Sequence, residues 1–140
     1  MKLSRTVAYA VQATLQLAQA DCEKPIPCSQ LAGDGGMPER FLLQILRHLV
    51  TRGILRSTRG VDGGYALERR PEDISLLEII EAIEGPLNSA LPQGKAPASH
   101  YEERLHKALQ QVTSLVRQRL QAIKLTDLMS PPHSKATSGV

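Results

Sequence analysis

Aromatic side chains are scarce in this chain: three Tyr, one Phe and no Trp among 140 residues. Any core must therefore be aliphatic, built from Leu, Ile, Val and Ala. The shortage also argues against recognition of single strands or RNA by base stacking, which needs exposed rings. Cysteine is scarce too, with only Cys22 and Cys28. A C-x5-C pair fits no standard zinc pattern and no second pair completes four ligands, so no metal site is expected. Cys28 reads as a small apolar packing residue and Cys22 as an exposed thiol, with thiol sensing as the lesser alternative. No apolar run reaches membrane-spanning length, and the opening segment, interrupted by Arg5 and Gln12, lacks the form of a secretion signal. The expectation is a cytoplasmic chain, with no membrane partner and with both thiols reduced. There is no Ser/His/Asp set, no phosphate loop and no paired carboxylates in a plausible cleft, so neither an enzyme nor a cofactor is expected.

Acid is missing from the most informative stretch. Residues 40–61 hold five arginines and no Asp or Glu. Residues 1–70 carry ten Lys and Arg against six Asp and Glu, a net of +4; residues 71–140 carry seven against eight, a net of −1. A polyanionic partner would meet the first half.

Residues 37–67 organise the rest. At ~100° per residue, Phe41, Leu42, Ile45, Leu46 and Leu49 share one side of a helix, and Arg40, Gln44, Arg47 and Thr51 project from the other. Gly53 ends that helix. Residues 54–57 and 65–67 read as two short strands, joined by the Gly-rich loop 59–64 with Arg59 and Gly60 at its start. Upstream, residues 28–34 form a short helix and Gly35-Gly36 a turn, which is the helix-turn-helix order. A basic helix face followed by a hairpin suits a major groove and the neighbouring minor groove.

The flanking elements follow the same logic. Ser4 is the expected N-cap of a first helix over about residues 5–20, with an apolar stripe of Val7, Val11, Leu15 and Ala18. Lys2 and Arg5 at its start are either solvated charges or phosphate contacts. Ser75 and Glu78 form a capping box, with Ile74 and Ile79 as the staple, for a helix that buries Leu76, Ile79, Ile80 and Ile83 and stops at Gly85-Pro86. Residues 86–99 read as a Pro/Ala/Gly-rich linker. A long helix follows, with Leu105, Leu109, Val112, Val116, Leu120 and Ile123 at steps of three or four. It is expected to be a dimerisation helix, with an arm packed on its own domain as the alternative. Residues 130–140 read as a disordered polar tail.

These segments resemble one family: the bacterial winged-helix regulators that include IscR, NsrR and CymR. The resemblance rests on MKLSRTVAYAV, PIPCSQLA, FLLQILRHLVTRGIL, RSTRGVDGGYAL and SLLEIIEAIEG, and covers about residues 1–125. It implies a mainly α fold with a two-stranded β wing: a winged helix-turn-helix over 1–85, a linker, and a dimerisation helix over 100–129. It also implies a homodimeric regulator of transcription, usually a repressor, on a palindromic duplex operator, with a small-molecule or protein effector left open. Arg40, Gln44 and Arg47 would lie near base edges or phosphates, and Arg59 with Gly60 would reach the minor groove. The position beside Gln44, often acidic in the family, is Leu43. Iron–sulfur members carry three cysteines between the last two helices; residues 85–104 here have none, and His106 alone cannot hold a cluster. Ala8 and Gln12 stand where some members place first-helix ligands. The chain therefore resembles a cluster-free member. The alternative is a winged-helix module that docks another protein and does not read DNA.

Overall fold

The computed structural model describes residues 1–20, 24–88 and 100–130. Cys22, most of the expected linker and nearly all of the expected tail lie outside them.

Helix α1, Arg5–Gln19, starts where the Val7 N–H donates to Ser4 Oγ at 3.2 Å. Its buried side is Val7, Ala10, Ala13, Thr14 and Leu17. The face is rotated from the expected stripe because Ala10 and Ala13, wholly buried, let α1 lie close to the helices that follow. Val11 and Leu15 are half-buried instead, along an apolar groove of about 840 Å³ shared with Ile26, Leu31, Leu76 and Leu128.

Helix α2, Cys28–Gly35, and helix α3, Glu39–Thr51, form the helix-turn-helix. Leu42, Ile45, Leu46 and Leu49 of α3 are buried, as expected from the 3.6-residue period. Phe41 is not: it is 68% exposed. It sits roughly 90° of helix rotation from the centre of the buried stripe, beyond its edge. Gly53 closes α3 at φ 75°, where the Gly53 and Ile54 N–H groups donate to Val50 and Leu49 carbonyls at 3.0 Å each.

Strand β1, Leu55–Thr58, pairs antiparallel with β2, Gly64–Leu67, in the register Leu55 with Leu67 and Thr58 with Gly64. Among the described residues this hairpin is the only sheet. It is anchored by Tyr65, whose N–H and C=O exchange hydrogen bonds of 2.9 Å with Ile26. Gly64 has φ 152°, and a Cβ there would collide with the Ile26 carbonyl. The close approach of the hairpin to the chain entering α2 thus requires glycine.

After a 3-10 turn at Pro71–Asp73, helix α4 spans Leu76–Glu84. The capping box is present: the Glu78 N–H donates to Ser75 Oγ at 3.1 Å and the Ser75 N–H to Glu78 Oε2 at 2.9 Å. Leu77 and Ala82 are buried with Ile79 and Ile80, while Leu76 and Ile83 are only half-buried. Two sides of α4 are covered, which the single expected stripe did not allow for. Ile79 and Ala82 face the main core; Leu77 and Ile80 meet Val7 and, from helix α5, Leu120. Helix α5, His100–Ala122, is the longest, and the chain then returns to the start of α4. The Leu76 N–H donates to Ile123 O at 2.8 Å, and the Leu125 N–H to Ile74 O at 3.0 Å. Leu125, in the short helix α6 Leu125–Leu128, is wholly buried.

Candidate nucleic-acid interface

The outer side of α3 carries Arg40, Gln44, Arg47, His48 and Thr51, all exposed. Their direction follows from the burial of Leu42, Ile45, Leu46 and Leu49 opposite. The Thr51 hydroxyl donates back to Arg47 O at 2.9 Å, so its oxygen remains free to accept. The ion pairs Arg69–Glu78, Arg70–Glu72 and Arg117–Glu81 lie outside residues 40–61.

Arg59 and Gly60 stand exposed at the start of the hairpin loop. Gly60 adopts φ 108°, and its carbonyl accepts from the Gly63 N–H at 3.0 Å, which closes the tip. Lys2 and Arg5 are exposed at the start of α1. The next residue, Thr6, shares a concavity of about 500 Å³ with Arg40, Phe41, Gln44, His48 and Ile83. The first turn of α1 and the outer side of α3 therefore meet, and the hairpin follows α3 directly through Ile54.

The expected dimer residues divide between two sides of α5. Leu120 is buried against Val7, Leu77 and Ile80 of its own chain, and Val116 packs on the same cluster. Leu109 is half-buried, and so is Ile123, which lies one residue beyond the end of α5. Leu105 and Val112 are exposed, and Tyr101 and Leu115 are exposed with them. Tyr101, Leu105, Val112 and Leu115 recur at steps of four, seven and three residues, a second stripe beside the first. The one-stripe reading merged the two and missed Tyr101 and Leu115.

Residues 3–131 match a family described as iron-dependent transcriptional regulators, Rrf2. The chain belongs to the Rrf2 family. A Mycobacterium tuberculosis HTH-type transcriptional regulator is 40% identical over 89 residues, which span 64% of this chain and 55% of that protein. IscR of Aliivibrio salmonicida is 29% identical over 130 residues, 92% of this chain and 77% of that one. Among solved structures, CymR, the global cysteine regulator of B. subtilis, superposes with a TM-score of 0.73 at 26% identity, covering 91% of this chain and 95% of that one. IscR of T. potens gives 0.69 at 33% identity, covering 91% and 85%. The winged helix-turn-helix is thus the Rrf2 fold, and the family is one of regulators, not enzymes.

The Rrf2 description mentions iron, and the donor set here does not fit an iron–sulfur cluster. Clusters are held chiefly by thiolates, and the chain has two cysteines. Cys28 is half-buried, with Sγ 3.7 Å from the Glu39 carbonyl oxygen. Burial, and then the nearby Glu39 charge, push its pKa up, which disfavours a ligating thiolate. Among the described residues no group of three or more His, Cys, Asp or Glu could hold a metal ion.

Proposed function

We propose that this Rrf2-family chain is a cytoplasmic, homodimeric, sequence-specific regulator of transcription. It binds a palindromic duplex operator, acts as a repressor, and uses no iron–sulfur cluster. The observation that carries the proposal is the exposed Arg40, Gln44 and Arg47 beside the Arg59 hairpin, within a stretch, residues 40–61, that holds five arginines and no acid, on the fold that Rrf2 regulators share. Gln44 pairs with adenine, and Arg40 and Arg47 contact guanine or phosphate. Arg59 enters the flanking minor groove, where a narrow, A·T-rich stretch concentrates negative potential. Lys2 and Arg5 contact phosphates, which sets register without reading sequence.

The exposed stripe of Tyr101, Leu105, Val112 and Leu115 supports the dimer. It is an apolar face at helical spacing that the described residues leave uncovered. Two protomers joined there present two recognition helices to a symmetric site.

Selection of bound sites from a random duplex library tests the proposal. The expected result is an inverted repeat with A·T-rich flanks. Recovery of unrelated sequences would overturn it in favour of a protein-docking role.

A further inference from the structure

The chain's single phenylalanine stands in an unexpected place. Phe41 is the third residue of α3 and is 68% exposed, although the aliphatic stripe it was expected to join is well filled without it. It borders the concavity that also holds Thr6, Arg40, Gln44 and His48. Phe41 and Gln44 are three residues apart on α3, so their side chains are neighbours on one flank of the helix. An isolated exposed apolar residue needs no explanation. This one differs in its surroundings: a ring in the first turn of the recognition helix, amid side chains suited to base edges. Recognition helices present their N-terminal residues to the major groove. The apolar group in that groove is the C5-methyl of thymine, and aromatic contact with it is one means of reading T.

We propose that Phe41 is a specificity-determining residue that reads the methyl group of a thymine next to the base pair read by Gln44. The assignment rests on the DNA-binding reading above and extends it. Gln44 supplies hydrogen bonds, which fix one base pair. Phe41 supplies an apolar surface, which separates thymine from cytosine at the adjacent step by the methyl group alone. Arg40, on the other side of Gln44, is left for guanine or phosphate.

The test uses a duplex selected by the full-length protein, with each thymine replaced in turn by deoxyuridine, which differs only in lacking the methyl group. One position per half-site is expected at which the replacement weakens binding about fourfold, the effect of one buried methyl. Phe41→Ala is expected to bind the two forms of that position equally, and Phe41→Tyr to keep the discrimination. Both variants should keep the parent's circular dichroism, since the side chain is exposed. If no thymine-to-deoxyuridine change affects the parent, or if the effect persists in Phe41→Ala, the assignment is overturned while DNA binding stands. If neither protein binds any duplex, the DNA-binding reading falls and the assignment with it.

Discussion

Arg117 on α5 holds Glu81 on α4: its Nη1 donates to Glu81 Oε2 at 2.6 Å and to the Leu87 carbonyl at 3.1 Å. The same carboxylate oxygen accepts from the Leu87 N–H at 2.8 Å. Three points of the chain are thereby fixed together at the junction of the winged helix with the long helix. Burial on its own raises the Glu81 pKa. The Leu87 N–H, the Arg117 guanidinium and the charge of Arg52, at the end of α3, outweigh it and hold the carboxyl below its usual value.

A depressed carboxylate pKa contributes stability above the unfolded value, about 4.3 for glutamate, and loses it as pH falls through the lower folded value. Glu81→Gln is therefore expected to unfold more easily at pH 7, by about 0.5–1 kcal/mol, since Arg117 is more than a third exposed. The deficit should shrink below about pH 4. Chemical denaturation at several pH values measures this, and an equal deficit at pH 3 and pH 7 would contradict it.

The two sides of α5 should respond differently to substitution. Val112→Asp with Leu115→Asp is expected to give folded monomers in sedimentation, because both residues are exposed within one chain. Leu120→Ala should instead lower stability by about 2–5 kcal/mol, as a buried leucine lost from a packed cluster does. A dimer that survives the double substitution at micromolar concentration would place the interface elsewhere.

What was legible in the residues is what is decided within a few positions. Ser4, the Ser75–Glu78 box and Gly53 each act through neighbours, and each is found where expected. The readings that shifted depend on distant partners. The face of α1 rotates because Ala10 and Ala13 are chosen by the helices lying on them. Leu125 is buried because the chain returns to Ile74. On α5, Val112 and Val116 are alike in type and spacing, and only the presence of α4 beside one of them tells them apart. Hydrophobicity alone groups Phe41 with the core, because it does not mark the edge of a stripe.

Iron should not bind as a cluster. Anaerobic incubation with iron and sulfide is expected to leave the protein colourless and without stoichiometric iron, given two cysteines and a Cys28 thiol held protonated. A visible chromophore with matching iron and sulfide would refute this and point to Cys22 and Cys28 shared across a dimer.

Gln44 and Arg59 should contribute in different ways. Gln44→Ala is expected to relax preference at one base pair per half-site, worth about 1–3 kcal/mol. Arg59→Ala should weaken binding most on A·T-flanked sites and flatten the flank preference. Both residues are exposed, so melting temperature should hardly move. Affinity and flank preference untouched by Arg59→Ala would remove the hairpin from the DNA-reading surface.

The central claim is that the exposed basic side chains of α1, α3 and the hairpin meet duplex phosphates, and the salt dependence of binding tests it most directly. Each neutralised phosphate adds about 0.9 to the slope of log affinity against log salt. With Lys2, Arg5, Arg40, Arg47 and Arg59 exposed on each protomer, the selected duplex should give a slope of about −9 for a dimer in which all of them reach phosphates, and of about −4 if half of them do. A slope near zero would contradict the account.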